Sequence, residues 1–107
     1  MKILVMPKPR PGIPAEELQR YAPAEIRAVW DLYAQGICRE FYTRLAEPGR
    51  VILMFEAESE EVAQQALSTL PFVQRSLIDF DLIPLAPFAG LSRLFATQAP
   101  AQVPTGS

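Results

Sequence analysis

The residues able to do chemistry gather on a few short stretches: Arg39, Glu40, Tyr42 and Arg44 along one segment, Glu56 at the end of the next, and Asp79 and Asp81 further on. A carboxylate can carry a proton, a guanidinium can hold an anion, and a phenol can donate to a developing oxyanion. Each is costly to cover with apolar surface unless it is paired. Glu40 and Arg44 fall on the same face of an extended strand, so mutual pairing competes with any catalytic role. The chain has no histidine, which removes the commonest general base, the Ser-His and Cys-His nucleophile pairs and the usual transition-metal ligand. Its one cysteine, Cys38, can form no intramolecular disulfide and no thiol cluster for a metal; it reads as a small hydrophobe in a strand.

Around these residues the pattern is regular. Gly36 to Ala57 reads as a hairpin with its turn at Glu47-Pro48-Gly49. Along Ile37 to Leu45, Ile37, Arg39, Phe41, Thr43 and Leu45 point one way and Cys38, Glu40, Tyr42 and Arg44 the other. Val51 to Phe55 is apolar on both faces, as suits a central strand. Lys2 to Met6 reads as a buried first strand, followed by a stiff Pro-rich connector from Pro7 to Pro14. Pro14, with Glu16 and Glu17 behind it, suits a helix start, and Pro23 predicts a kink or two short helices. Ile26, Val29, Trp30 and Tyr33 form one apolar stripe, read as core packing with a ligand cage as the alternative, and Gly36 closes the helix. Ser59 looks like an N-cap for a second helix ended by Pro71. Leu77 to Leu85 alternates as a last strand, with Ile78, Phe80 and Leu82 on one side and Leu77, Asp79, Asp81 and Ile83 on the other. Phe88 to Phe95 is apolar enough to pack on something, and 96–107 reads as a flexible C-terminal tail to a single domain over 1–95.

The order β-α-β-β-α-β predicts an α+β, ferredoxin-like sandwich: a four-stranded antiparallel sheet with two helices on one face. At 107 residues the chain can cover only one face of that sheet with its own helices. The other face is aliphatic, larger than the roughly few hundred Å² of contiguous apolar surface a monomer usually exposes, so a second copy of the chain is expected to cover it. RNA is disfavoured: the third strand lacks the Gly and aromatics of an RNA-stacking surface, and the net charge is −2. The N-terminal apolar run is too short for a signal peptide and nothing approaches a membrane span, so the expectation is a soluble, cytoplasmic protein.

The run from Trp30 to Gly36 through Arg39-Glu40-Phe41-Tyr42, then Glu56-Ala57-Glu58-Ser59, Leu70-Pro71-Phe72 and Asp79-Phe80-Asp81 resembles the muconolactone isomerase-like group of dimeric α/β-barrel proteins, over about residues 1 to 90. The resemblance implies a ferredoxin-like subunit that dimerises through its sheet, often with higher assembly. It also implies a small-molecule pocket between sheet and helices, and no metal or organic cofactor. Arg39 falls on a strand arginine of that family and Glu25 on a helix glutamate. Glu40 stands where the isomerases carry a histidine, so a carboxylate of raised pKa would take the imidazole's part. Under that reading the chain is an isomerase transferring a proton within a small unsaturated acid or lactone. Arg39 anchors a carboxylate with Arg44 and Trp30 beside it, Glu40 or Glu25 shuttles the proton, and Tyr42 holds the enolate. Two other classes stay open on the same scaffold: a non-catalytic binding or structural oligomer, and a cofactor-free monooxygenase.

Overall fold

The computed structural model describes residues 1–95; the tail expected over 96–107 lies outside the described residues. The elements run β1 (Lys2–Pro9), α1 (Ala15–Ala34), β2 (Cys38–Arg44), β3 (Glu47–Glu56), α2 (Glu60–Leu67), α3 (Pro71–Gln74) and β4 (Ile78–Leu85), followed by a 3₁₀ segment at Ala89–Phe95. The strands form a four-stranded antiparallel sheet in the order β2-β3-β1-β4. With the helices on one face, this is the ferredoxin-like α+β sandwich.

Local chemistry explains the elements. Pro14 is the N-cap residue of α1, and Glu17 N–H donates to its carbonyl at 3.1 Å. Pro23 does not divide the helix, which runs unbroken for 20 residues. Pro23 and Gln19, whose carbonyl it leaves without a helical donor, are both exposed, so water can take that bond. Gly36, at φ +81°, ends α1: its N–H donates to Tyr33 and that of Ile37 to Leu32, the paired bonds of a left-handed helix stop. The Ser59 hydroxyl accepts from Val62 N–H at 3.2 Å and caps α2. Pro71 ends the second apolar stripe as expected, but it also opens α3, a one-turn helix that the sequence pattern did not reveal.

The core lies between sheet and helices. Ile3, Val5, Leu53 and Phe55 from the two central strands meet Leu32, Ala63, Leu67 and Leu70 from the helical layer, with Cys38 at the edge. Burying each large side chain contributes about 1.5–3 kcal/mol.

Strand β2 departs from simple alternation. Cys38 pairs with Phe55 but Glu40 with Met54, so Arg39 is an extra residue on β2. Cys38 therefore shares the helix-covered face with Phe41, while Glu40 and Tyr42 lie on the opposite face. The expected grouping of Cys38 with Glu40 and Tyr42, and of Phe41 with Arg39, is corrected by this bulge. A second irregularity follows: Thr43 pairs with Val51 and Arg44 with Glu47, so Pro48, Gly49 and Arg50 loop out of the ladder. The hairpin tip is thus Leu45-Ala46, and the Pro-Gly pair marks a distortion within β3 rather than the turn itself.

Candidate functional site

A cavity of about 240 Å³ opens between α1 and the helix-facing side of β2 and β3. Phe41, Val51 and Leu53 form its floor, and Ile26, Val29 and Trp30 of α1 overhang it. Trp30 and Tyr33 stack with ring centroids 5.1 Å apart, and Tyr33 meets Phe41 edge-on at 5.6 Å. The stripe read as core packing is therefore largely a rim: Trp30 is 53 % exposed and Ile26 69 %. The face of α1 that packs is turned toward Glu25, Ala28, Val29 and Leu32.

Glu25 is the one buried charged residue among those described, at 8 % exposure, and it lines this cavity. Its Oε1 accepts the N–H of Phe72 at 2.9 Å, in the first turn of α3. Leu70, the N-cap residue of α3, supplies no side-chain cap of its own. The other oxygen, Oε2, is not engaged by that bond. Burial pushes the Glu25 pKa up, opposed by the Phe72 N–H, which favours the anion. A carboxyl in an apolar hollow, held by one donor and lifted above its ordinary pKa, is equipped to exchange a proton with a bound molecule.

The other sequence candidates sit elsewhere. Tyr42 donates to Glu40 Oε1 at 2.5 Å on the far side of the sheet, and that bond, with the carboxylate's charge, raises the phenol pKa. Arg44 pairs with Glu47 at 3.2 Å, not with Glu40. Arg39 is exposed and close enough to Glu56 to help hold that carboxyl low. The larger cause there is the N-terminal ammonium, 2.7 Å away. Asp79 takes both Arg10 contacts, at 3.0 and 2.9 Å, and its pKa is lowered by them; Asp81 pairs with Lys8 at 3.1 Å. Cys38 is buried and its thiol is pushed up to about 11 by desolvation, so it is no nucleophile. Of the six site residues expected from sequence, then, the structure brings Glu25 and Trp30 together at the cavity and puts Arg39, Glu40, Tyr42 and Arg44 outside it. Phe41, Val51 and Phe72 were missed; the hydrophobic run in β3 and the Leu-Pro-Phe turn were visible, but nothing in either marks a cavity wall.

The face bearing Glu40 and Tyr42 is uncovered. Register aligns Glu40, Met54, Leu4 and Ile83 in one row across all four strands. Ile52 and Met6 extend the apolar centre, and Lys2, Glu56, Lys8 and Asp81 stand around it. Among the described residues no three His, Cys, Asp or Glu side chains converge to hold a metal ion, and no helix is long and apolar enough to cross a membrane.

No family model matches the chain, and no curated protein matches it. Among solved structures it is similar to the 5-chloro-2-hydroxyhydroquinone dehydrochlorinase TftG from Burkholderia phenoliruptrix AC1100, in complex with 2,5-dihydroxybenzoquinone. The TM-score is 0.64 at 19 % identity, covering 80 % of this chain and 94 % of that one. The two share a fold. That structural neighbour is an enzyme built on a small α/β chain.

Proposed function

We propose that this chain is a muconolactone isomerase-like, cofactor-independent proton-transfer enzyme acting on a small unsaturated ring compound such as a lactone. The observation that carries the reading is Glu25: a buried carboxyl that lines an apolar cavity and is anchored through one oxygen by Phe72 N–H. An engineered apolar cavity of about 150 Å³ already admits benzene, so one substituted ring fits here. Glu25 takes a proton from the carbon next to the ring carbonyl, the electron pair moves into the conjugated system, and the same carboxylic acid returns the proton at the far carbon. No redox change occurs and no atom is lost. The Phe72 N–H bond fixes the carboxyl's orientation through both steps. The name of the structural neighbour, a dehydrochlorinase of a one-ring hydroquinone, supports both the size of the ligand and a step that removes a proton.

In the same reading two copies pack sheet to sheet to form a dimeric α/β barrel. The aliphatic row through Met54, Leu4 and Ile83 is then buried, and Glu40 and Tyr42 belong to the interface.

The test is deuterium exchange from heavy water into a β,γ-unsaturated γ-lactone, followed by proton NMR. The wild-type chain should accelerate exchange, and Glu25→Gln should lose at least about 10²-fold of that acceleration. Equal rates for the two proteins would sink the proposal. A non-catalytic reading is favoured by one specific fact, that Glu25 also caps α3; exchange that ignores Glu25, with ligand binding intact, selects it.

A further inference from the structure

A second hollow, of about 400 Å³ and more polar, lies beside the first and is lined by Arg10, Glu47, Arg50, Ile13 and Leu77 among others. The two share Gly49 and Ile78 as walls. Gly49 belongs to the segment that loops out of β3. A side-chain carbon built there would meet nothing within 4 Å, so no neighbouring atom crowds the shared wall at that point. Of the two arginines that line this hollow, Arg10 is matched by both oxygens of Asp79. Arg50, in contrast, shares the single carboxylate of Glu47 with Arg44, one on each oxygen. Two guanidinium groups against one carboxylate leave one positive charge over. Arg50, with one of its terminal nitrogens on Glu47, keeps donors for another acceptor.

We propose that the site selects ring compounds carrying an anionic group, the ring seated among Phe41, Val51 and Trp30 and the anion held at the mouth by Arg50. This rests on the cavity identified above as the ligand site, and it adds what that assignment lacks, a residue that reads the charge of the ligand. The arrangement sorts the ligand end to end: an apolar inner chamber cannot solvate a carboxylate, whereas the outer one offers a guanidinium in reach of water. A neutral ring gains nothing from the outer chamber.

The experiment is a pair of titrations, benzoate against its neutral analogue benzamide, read by the fluorescence of Trp30. That residue is the only tryptophan in the chain and lies on the cavity rim. The wild-type protein should bind benzoate roughly three- to tenfold more tightly than benzamide at low salt, a preference that shrinks at high salt. Arg50→Gln should bring the ratio of affinities to about one, Arg50→Lys should restore most of it, and Arg20→Gln, on the far side of α1, should leave it unchanged, which controls for net charge. Equal affinities in the wild type, or a preference that survives Arg50→Gln, overturns the assignment. If the preference fails while Glu25-dependent exchange persists, only the role of Arg50 falls. If the preference holds and exchange does not depend on Glu25, the anion site stands and the enzymatic reading falls. Failure of both probes to bind refutes the ligand site itself.

Discussion

Glu25 holds two parts of the fold together, and replacing it separates the contributions of its shape, its hydrogen bond and its charge. Glu25→Gln keeps an oxygen for Phe72 N–H, whereas Glu25→Leu fills similar volume and removes the acceptor. Because Leu70 offers no side-chain cap, the leucine variant leaves a donor unpaired at the start of α3, at a cost of about 1–3 kcal/mol. For a domain of this size that lowers Tm by roughly 5–20 °C. The glutamine variant should melt close to the wild type, but its relation to the wild type should depend on pH. Burial raises the Glu25 pKa, so the folded chain binds that proton more tightly than the unfolded chain. The stabilisation from protonated Glu25 is complete below the ordinary carboxyl range and is lost as pH rises through the folded value. Urea unfolding of both proteins between about pH 4 and pH 8 should therefore show Glu25→Gln gaining on the wild type as pH rises. Glu56 and Asp79, both lowered, act in the opposite direction, but they are common to the two proteins and cancel in the difference. A stability difference that stays flat with pH refutes the buried-carboxyl argument, and a leucine variant as stable as the glutamine variant refutes the role of the Phe72 bond.

Three further outcomes are expected. Sedimentation at micromolar concentration should show the wild type as a dimer or larger assembly, and Ile52→Glu, on the uncovered face, should weaken association at least about tenfold, since a charge there would be buried without a partner; a monomeric wild type rejects the sheet-to-sheet interface. Cys38, buried with its thiol pushed up to about 11, should resist alkylation at pH 8 in the folded protein and react at the ordinary rate in urea. Ser59→Ala should cost about 1 kcal/mol through loss of the α2 cap, read as a fall in Tm of roughly 4–8 °C.

The fold was legible because its signals are local: the strands alternate, Ser59 and Gly36 punctuate the helices, and Pro14 marks the start of α1. The site was legible only in part. Resemblance pointed to Glu25, but its burial depends on α3, a single turn whose start at Pro71 looks in the sequence like a helix end. Trp30 belongs to a stripe with the right period for a core; that it overhangs the sheet edge instead is set by how α1 is rotated over β2, which periodicity does not specify. Arg50 carried no sequence signal, because its position follows from the loop-out of Pro48, Gly49 and Arg50. The expected company of Glu40 and Tyr42 with Cys38 failed at Arg39, where one unpaired residue shifts the alternation.

That extra residue fixes the sidedness of the edge strand. Phe41 and Tyr42 are neighbours in the chain, yet one walls the cavity and the other faces outward beyond the sheet. Were Arg39 to take a regular place in the ladder with Cys38 kept where it is, the alternation would turn the phenol inward beneath α1 and the apolar ring outward, whereas excising Arg39 would leave both where they are. The wall of the cavity at this edge therefore depends on one residue standing outside the ladder.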